Sequence, residues 1–417
     1  MNQIDLQFNP KPSTLLHVDI NSCFATIEQQ ANPKLRGKPI AVAAYTTPSG
    51  CILAPSVEAK KLGIKVGMRV KDGRMIDPDL IVLPPDPWKY RYVHQRLKNF
   101  FLSYTDRVVP RSIDEFVLDI ESYPAYKKGI YNVGRQIKER IKSEIGEWLT
   151  VSVGIGPNRF LAKTAAGLHK PDGLDIIDKD NYMEIYRKLR LPDLCGIKIQ
   201  NTLRLNNMGI YTVQDFYHAS VWELSAAFKS IVGYYWYIRL HGWEIDDVEF
   251  ARKSFGNSYA LPKPFSDHSD LAPLLRKLVE KTGIRMRKAG YRARGIHVAE
   301  IFRDGSFWHK GMTLGYEIFD SRDIYEIAFH ILLMSPYKKP VRELSISCFN
   351  LVSANDTQMS LLTDLEKKEK LVAAIDEINE RWGDFVITPA TMLGMEDTII
   401  DRISFGNVRE LQSLMTG

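Results

Sequence analysis

Leu15-Leu16-His17-Val18-Asp19-Ile20 is a short apolar run, rich in branched side chains, that ends at an acid. Such a run reads as a buried strand that delivers Asp19 at its C-terminal end. Further on, Val108-Val109 continuing to Arg111, and Phe116-Val117-Leu118-Asp119-Ile120, read as two more strands. Only Ser112-Ile113-Asp114-Glu115 lies between them, short enough for a hairpin connection. Helices are expected over Cys23–Gln30 and about Val133–Ile145, and another strand over Thr150–Gly156. The order is β-α-β-β-α-β, the ferredoxin-like pattern of an α+β fold, with an insertion of about 60 residues before the hairpin.

In that arrangement the first strand and the hairpin are neighbours, so Asp19, Asp114 and Glu115 can converge on one face. Buried, mutually repelling carboxylates are costly unless a cation compensates them. Mg²⁺ takes a few carboxylate oxygens together with substrate phosphates, and two such ions can activate a hydroxyl and neutralise a leaving group. The residues alone leave a plainer reading open. An Asp at a strand end often caps the next helix, and an Asp-Glu pair in a hairpin is usually a solvated turn.

The chain has 417 residues, which suggests two to four domains rather than one core. No apolar run approaches the roughly 20 residues of a membrane span, and Met1 to Pro12 lacks the pattern of a secretory signal. Cys23, Cys51, Cys195 and Cys348 are scattered without a CxxC pair, so zinc clips and disulfide frameworks are not expected and a cytoplasmic setting fits. The net charge of +6 is unevenly placed. Residues 253–345 hold 16 Lys and Arg against 10 Asp and Glu, an excess as large as that of the whole chain. The densest stretch is Arg285-Met-Arg287-Lys288-Ala-Gly-Tyr-Arg292-Ala-Arg294. Localised basicity beside strand-like sequence points to a polyanion such as nucleic acid, although a solvated helix face would look the same.

Five segments then carry a resemblance. Val18-Asp19-Ile20-Asn21-Ser22-Cys23-Phe24-Ala25, Gly37-Lys38-Pro39-Ile40, Glu58-Ala59-Lys60-Lys61-Leu62-Gly63, Ser112-Ile113-Asp114-Glu115 and Gly154-Ile155-Gly156-Pro157-Asn158-Arg159-Phe160-Leu161-Ala162-Lys163 occur in order. They resemble the successive motifs of the Y-family, translesion DNA polymerases of the DinB/UmuC group, over roughly residues 13–362. The resemblance implies a right-hand polymerase that adds deoxynucleotides to a primer 3′-hydroxyl, acting as a monomer on primer-template DNA. It implies a palm at 13–22 and 85–178, fingers at 23–84, a helical thumb at 179–246, a linker at 247–254 and a DNA-binding little finger at 255–352. Residues 353–417 would hold a clamp-binding peptide and a C-terminal helix or tail.

By the same resemblance, Asp19, Asp114, Glu115 and the Ile20 carbonyl would hold two Mg²⁺ ions, with Mn²⁺ a possible substitute. Cys23 and Phe24 backbone amides, Lys60 and Lys163 would meet the triphosphate, and the Phe24 ring would exclude a ribose 2′-hydroxyl. Gly196 and Lys198, in a helix-hairpin-helix-like turn, and Arg285, Arg287, Lys288, Arg292 and Arg294 would contact DNA. Gln358, Ser360, Leu361 and Leu362 lie in a segment similar to the sliding-clamp-binding peptide of bacterial replication proteins. Four positions depart from many DinB-type members: Val57 stands for a Tyr, Lys60 for an Arg, Ala54 for a Thr, and Asn21 for a second Asp. A non-catalytic, DNA- and clamp-binding relative is the rival reading; it would be expected to have lost acids that are all present here.

Overall fold

A computed structural model of the chain describes residues 6–248, 251–356 and 365–399. The chain divides between Glu249 and Phe250 into two compact units. In chain order the strands of the first unit are β1 (Leu15–Ile20), β2 (Ile40–Ala43), β3 (Ile52–Pro55), β4 (Ile81–Leu83), β5 (Val108–Pro110), β6 (Glu115–Asp119), β7 (Val151–Gly156) and β8 (Leu174–Ile176). The main sheet runs β5-β6-β1-β7-β8, with β1 antiparallel to both neighbours. Its first four members follow the expected ferredoxin-like order, and β8 extends the sheet beyond β7.

Alternation along β1 decides what each face does. Leu16, Val18 and Ile20 enter a core with Phe116, Leu118, Val153 and Ile155. His17 and Asp19 take the opposite face, where Leu15 and Val117 pack against Ala162 of the helix Arg159–Leu168. That helix lies unusually close to the sheet. A Cβ on Gly154 would stand 2.0 Å from the Ala162 carbonyl oxygen, and one on Gly156 would stand 2.5 Å from the Ala162 nitrogen. The glycines of the Gly154-Ile155-Gly156 segment therefore set the distance between helix and active face.

The insertion forms its own small sheet, β3-β2-β4, around Ala41, Ala43, Ile52, Ile64, Val70 and Leu80. The helix Cys23–Ala31, within the range expected for the fingers, instead sends Cys23, Phe24 and Ile27 into the core of the main sheet. The helix expected over Val133–Ile145 spans Ile130–Arg140 and continues in one wide turn, Ile141–Ile145.

Helices fill 182–240. Two of these helices, Val221–Phe228 and Val232–Leu240, follow each other closely. Lys229 ends the first of them with a left-handed φ of 50°, and the two helices cross closely at Gly233, where a Cβ would stand 2.4 Å from Leu224 backbone.

The second unit repeats the β-α-β-β-α-β order with another strand arrangement. Its strands are β9 (Ser254–Phe265), β10 (Tyr291–Phe302), β11 (Phe307–Ile318) and β12 (Val341–Ser353), in the order β11-β10-β12-β9, all antiparallel. The helices His268–Lys288 and Ser321–Leu333 contribute Leu271, Leu275, Leu278, Ile324 and Ile331 to its core. Among the described residues no helix is long and apolar enough to cross a membrane.

Gly154→Ala forces a methyl group into the backbone of the facing helix. Overpacking of this kind costs about 3 kcal/mol or more where backbone must move. Chemical denaturation should show that loss, and a variant as stable as the parent would contradict the close packing.

Candidate active site

The register brings the three predicted acids together. Asp19 lies directly opposite Glu115, the first residue of β6. The Ile20 amide donates to the Asp114 carbonyl at 3.0 Å, which ties the end of β1 to the hairpin. All three acids are substantially but not fully covered, and Asp19, Ile20, Cys23 and Asp114 line a cleft of about 400 Å³.

Each carboxylate meets a different environment. Ser112 Oγ donates to Asp114 Oδ1 at 2.5 Å. Burial, only partly relieved by that bond, and repulsion from Asp19 and Glu115 push the Asp114 carboxyl up to about 6. Burial also raises Asp19, against Lys170, whose Nζ stands 2.6 Å from Asp19 Oδ2. For Glu115 burial is the largest single influence and acts upward, but the hydrogen bonds from Lys163 Nζ at 2.8 and 2.7 Å, together with the fields of neighbouring groups including Lys163 and Lys170, hold the carboxyl below its usual value. Lys163 reaches Glu115 from the helix that the glycines hold against this face. Asn158 caps that helix by accepting from the Leu161 amide at 2.7 Å. Its Nδ2 donates to the carbonyls of Arg239 and Trp243, each at 2.9 Å.

His17, Ser112 and Lys170 were not singled out in the sequence. His17 shares the face of Asp19 by simple alternation, a signal that was there to be used. Burial drives its pKa down to about 3, so the ring is neutral, and neither ring nitrogen has a hydrogen-bond partner among the described residues. His17, Asp19 and Glu115 offer ligand atoms within 4.8 Å of one another, a spacing one cation could bridge. Asp114 lies outside that tightest set but faces the same cleft as Asp19. Clustered oxygen donors, one carboxyl already pushed upward by burial and by its neighbours, fit a divalent cation.

The remaining predicted nucleotide contacts are unevenly placed. Lys60 and Val57 both line the cleft, and Lys60 is held below its usual pKa by burial and then by Lys170. Cys23 lines it as well, and burial raises its thiol well above the ordinary range, so it packs rather than reacts. Phe24 is fully buried and stacks on Tyr90, with ring centroids 4.3 Å apart. Its ring does not line the cleft.

A family model described as "impB/mucB/samB family" matches residues 18–167, and one described as the C-terminal domain of that family matches residues 252–361. The chain belongs to the impB/mucB/samB family, the Y-family DNA polymerases. Among its relatives is the DNA polymerase IV of Pelotomaculum thermopropionicum, 30% identical over 91% of this chain and 95% of that one. The DNA polymerase IV 1 of Bacillus subtilis is also 30% identical, over 95% of this chain and 97% of that one. A solved Y-family DNA polymerase chimera of Dbh and Dpo4 superposes with a TM-score of 0.71 at 28% identity, covering 81% of this chain and 99% of that one. An insertion ternary complex of Dbh DNA polymerase superposes at 0.54 with 27% identity and the same coverage.

Within this Y-family chain the expected DNA contacts fall into two groups. Gly196 takes a φ of +95° with a tryptophan ring against it, as a tight turn requires, and Lys198 stands at the N-cap position of the helix Ile199–Asn206 without a side-chain capping bond. The basic stretch of the second unit is largely spoken for. Arg287 makes bonds of 2.7 and 2.8 Å to Asp376, Lys288 meets Glu380 at 2.5 Å, and Arg292 meets Glu369 at 2.5 Å. All three partners stand on the helix Leu365–Trp382. Arg294 pairs with Glu317, and Arg285 donates to the Gly256 carbonyl. The charge excess read in the sequence thus pins a helix onto this unit, because its acidic complement lay outside the counted window. By contrast Lys253, Lys310 and Arg342 are exposed and make no ion pair among the described residues. Gln358, Ser360, Leu361 and Leu362 lie outside the described residues.

The raised Asp114 carboxyl predicts a pH signature. Between the ordinary aspartate value of 3.8 and about 6, the folded protein keeps a proton that the unfolded chain has released. Without divalent cation, stability should therefore fall by roughly 2–3 kcal/mol as pH rises through that window. Asp114→Asn should remove this component in denaturation curves taken across pH, and an unchanged pH profile in the variant would contradict the assignment.

Proposed function

We propose that this chain is a template-directed DNA polymerase of the translesion class, with Asp19, Asp114 and Glu115 as the acids that serve nucleotidyl transfer. The observation that carries the reading is their convergence at the ends of paired strands beside a cleft, in a chain whose relatives over nearly its full length are DNA polymerases. Bound divalent cations, Mg²⁺ by the hardness of the oxygen donors, would activate the primer 3′-hydroxyl and neutralise the pyrophosphate. Asp19 and Asp114 would hold them with the Ile20 carbonyl, and Glu115 would sit nearer the primer end. Ser112 fixes the Asp114 carboxylate by its hydrogen bond. Lys163 is placed to move from Glu115 to a phosphate oxygen, a task suited to a compact charge on a flexible stem.

The cleft wall from the 23–84 segment offers Lys60 but no guanidinium or phenol, since Val57 occupies the other position. A looser grip on the triphosphate follows. The family resemblance assigns Phe24 as the sugar gate; its ring, buried against Tyr90 behind the cleft, would have to come into reach of the sugar to serve as one. The exposed Lys253, Lys310 and Arg342 are candidates for backbone contacts to primer-template DNA, and Gln358–Leu362 for docking to a sliding clamp. The non-catalytic alternative is disfavoured because all three acids are present.

Primer extension on a defined template with Mg²⁺ tests the reading. The intact protein should extend the primer, and Asp114→Ala/Glu115→Ala should lower the rate by at least about a thousandfold. Well-folded intact protein without activity would remove the claim. Lys60→Ala should raise the nucleotide KM about tenfold by loss of a charge-assisted contact, and an unchanged KM would remove Lys60 from the site. Replacing Gln358, Leu361 and Leu362 with Ala should abolish clamp-stimulated synthesis and spare basal synthesis; equal loss of both would count against clamp docking.

A further inference from the structure

Three histidines are buried among the described residues, and one differs from the other two. His94 and His241 each engage a backbone carbonyl through Nδ1, that of Ile113 at 2.9 Å and that of Tyr237 at 2.7 Å. His17 is only 1% exposed, yet neither of its ring nitrogens meets a hydrogen-bond partner among the described residues. Buried polar atoms are nearly always paired, so an orphaned imidazole points to a partner that is not part of the chain, a water or an ion.

The surroundings of the ring favour an ion. His17 and Asp19 share the face of β1 that lies under the helix Arg159–Leu168. His17 Nε2 stands 3.9 Å from Glu115 Oε2. That is too long for a hydrogen bond, but within the span of one ion that binds each atom at about 2.1 Å. One nitrogen and two carboxylate oxygens, from His17, Asp19 and Glu115, lie within 4.8 Å of one another. The cleft of about 400 Å³ is lined by Asp19 and Asp114 but by neither His17 nor Glu115. An ion held by the imidazole therefore lies inward of the cleft and shares only Asp19 with it.

The donor set also selects the ion. Imidazole suits zinc and its transition-metal neighbours, whereas Mg²⁺ takes oxygen donors and keeps several waters. Three nitrogen and oxygen ligands with a fourth position left open are a zinc arrangement. Lys163 and Lys170 stand on Glu115 and Asp19, but their side chains are 36% and 42% exposed, so a divalent ion can displace them.

We propose that His17, Asp19 and Glu115 form a transition-metal site, selective for Zn²⁺ over Mg²⁺ through the His17 imidazole and distinct from the cation positions of the cleft. Zn²⁺ bound there takes two of the acids out of service and inhibits synthesis. The site itself goes beyond the nucleotidyl-transfer reading above; its inhibitory effect rests on that reading.

Zn²⁺ alone, titrated by calorimetry into nucleotide-free protein with Mg²⁺ in excess, tests the site. His297 and His309, whose rings meet at 3.1 Å in the second unit, offer a competing imidazole pair, so every protein carries His297→Ala/His309→Ala. One Zn²⁺ should bind, and X-ray absorption at the zinc edge should show imidazole scattering. His17→Phe keeps a buried ring without a ligand atom and should weaken zinc binding at least about a hundredfold. His17→Gln, a second variant should the first not fold, should show the same loss and no imidazole scattering. Asp114→Asn, outside the ligand set, should cost about tenfold at most, the loss of one neighbouring charge. No bound zinc, zinc bound without imidazole scattering, equal affinity in the His17 variants, or an equal loss in Asp114→Asn would each overturn the proposal. In primer extension, zinc inhibition as strong in His17→Phe as in the parent would overturn the inhibitory role. If the parent extends primers but binds no zinc, only this inference fails. If it binds zinc through His17 but extends no primer, the polymerase reading fails and the site stands.

Discussion

The interaction on which the rest depends is the repulsion among three carboxylates placed at adjacent strand ends. Asp19 and Glu115 face one another across the β1–β6 pair, and Asp114 precedes Glu115 directly. Left alone, such a cluster would protonate or open. Here Lys163 and Lys170 each stand on one acid, and Ser112 donates to the third. Those cations are half-exposed and reach in from a helix and a turn, so they can be exchanged for others. The site holds its shape while keeping its charges replaceable, which is what binding of divalent cations and a triphosphate requires.

The surrounding structure serves that exchange. Gly154 and Gly156 let the helix of Lys163 approach the sheet, Asn158 caps that helix and joins it to residues 239–243, and Asn21 holds the turn of Lys170. Motif positions that look catalytic by their clustering are in several cases packing devices, and the chemistry rests on how closely they allow backbones to come together.

Much of this was legible in the sequence. The strand Leu15–Ile20 and the hairpin acids were readable because alternation, length and turn spacing are local properties, and the β-α-β-β-α-β order then fixed their adjacency. The ordered motifs added Lys163 and Lys60. Lys170 was not legible, because a loop lysine carries no periodicity and its aim depends on contacts with Asn21, 151 residues away from Asp172. Nor was the fate of Arg287, Lys288 and Arg292. A window of charge cannot show that Asp376, Glu380 and Glu369, about 80–90 residues further along, fold back as partners. Phe24 illustrates a third limit: an aromatic in a motif can be identified by position, while its full burial against Tyr90 is a tertiary fact.

The central claim is that Asp19, Asp114 and Glu115 hold the cations of DNA synthesis. Diffraction from crystals of the protein with primer-template DNA, an incoming nucleotide and Mn²⁺, using the anomalous signal of manganese, tests it most directly. The account predicts manganese peaks bounded by these three carboxylates and the nucleotide phosphates, with Lys163 and Lys170 withdrawn from the acids. Manganese bound elsewhere, with both lysines still on Glu115 and Asp19, would contradict it.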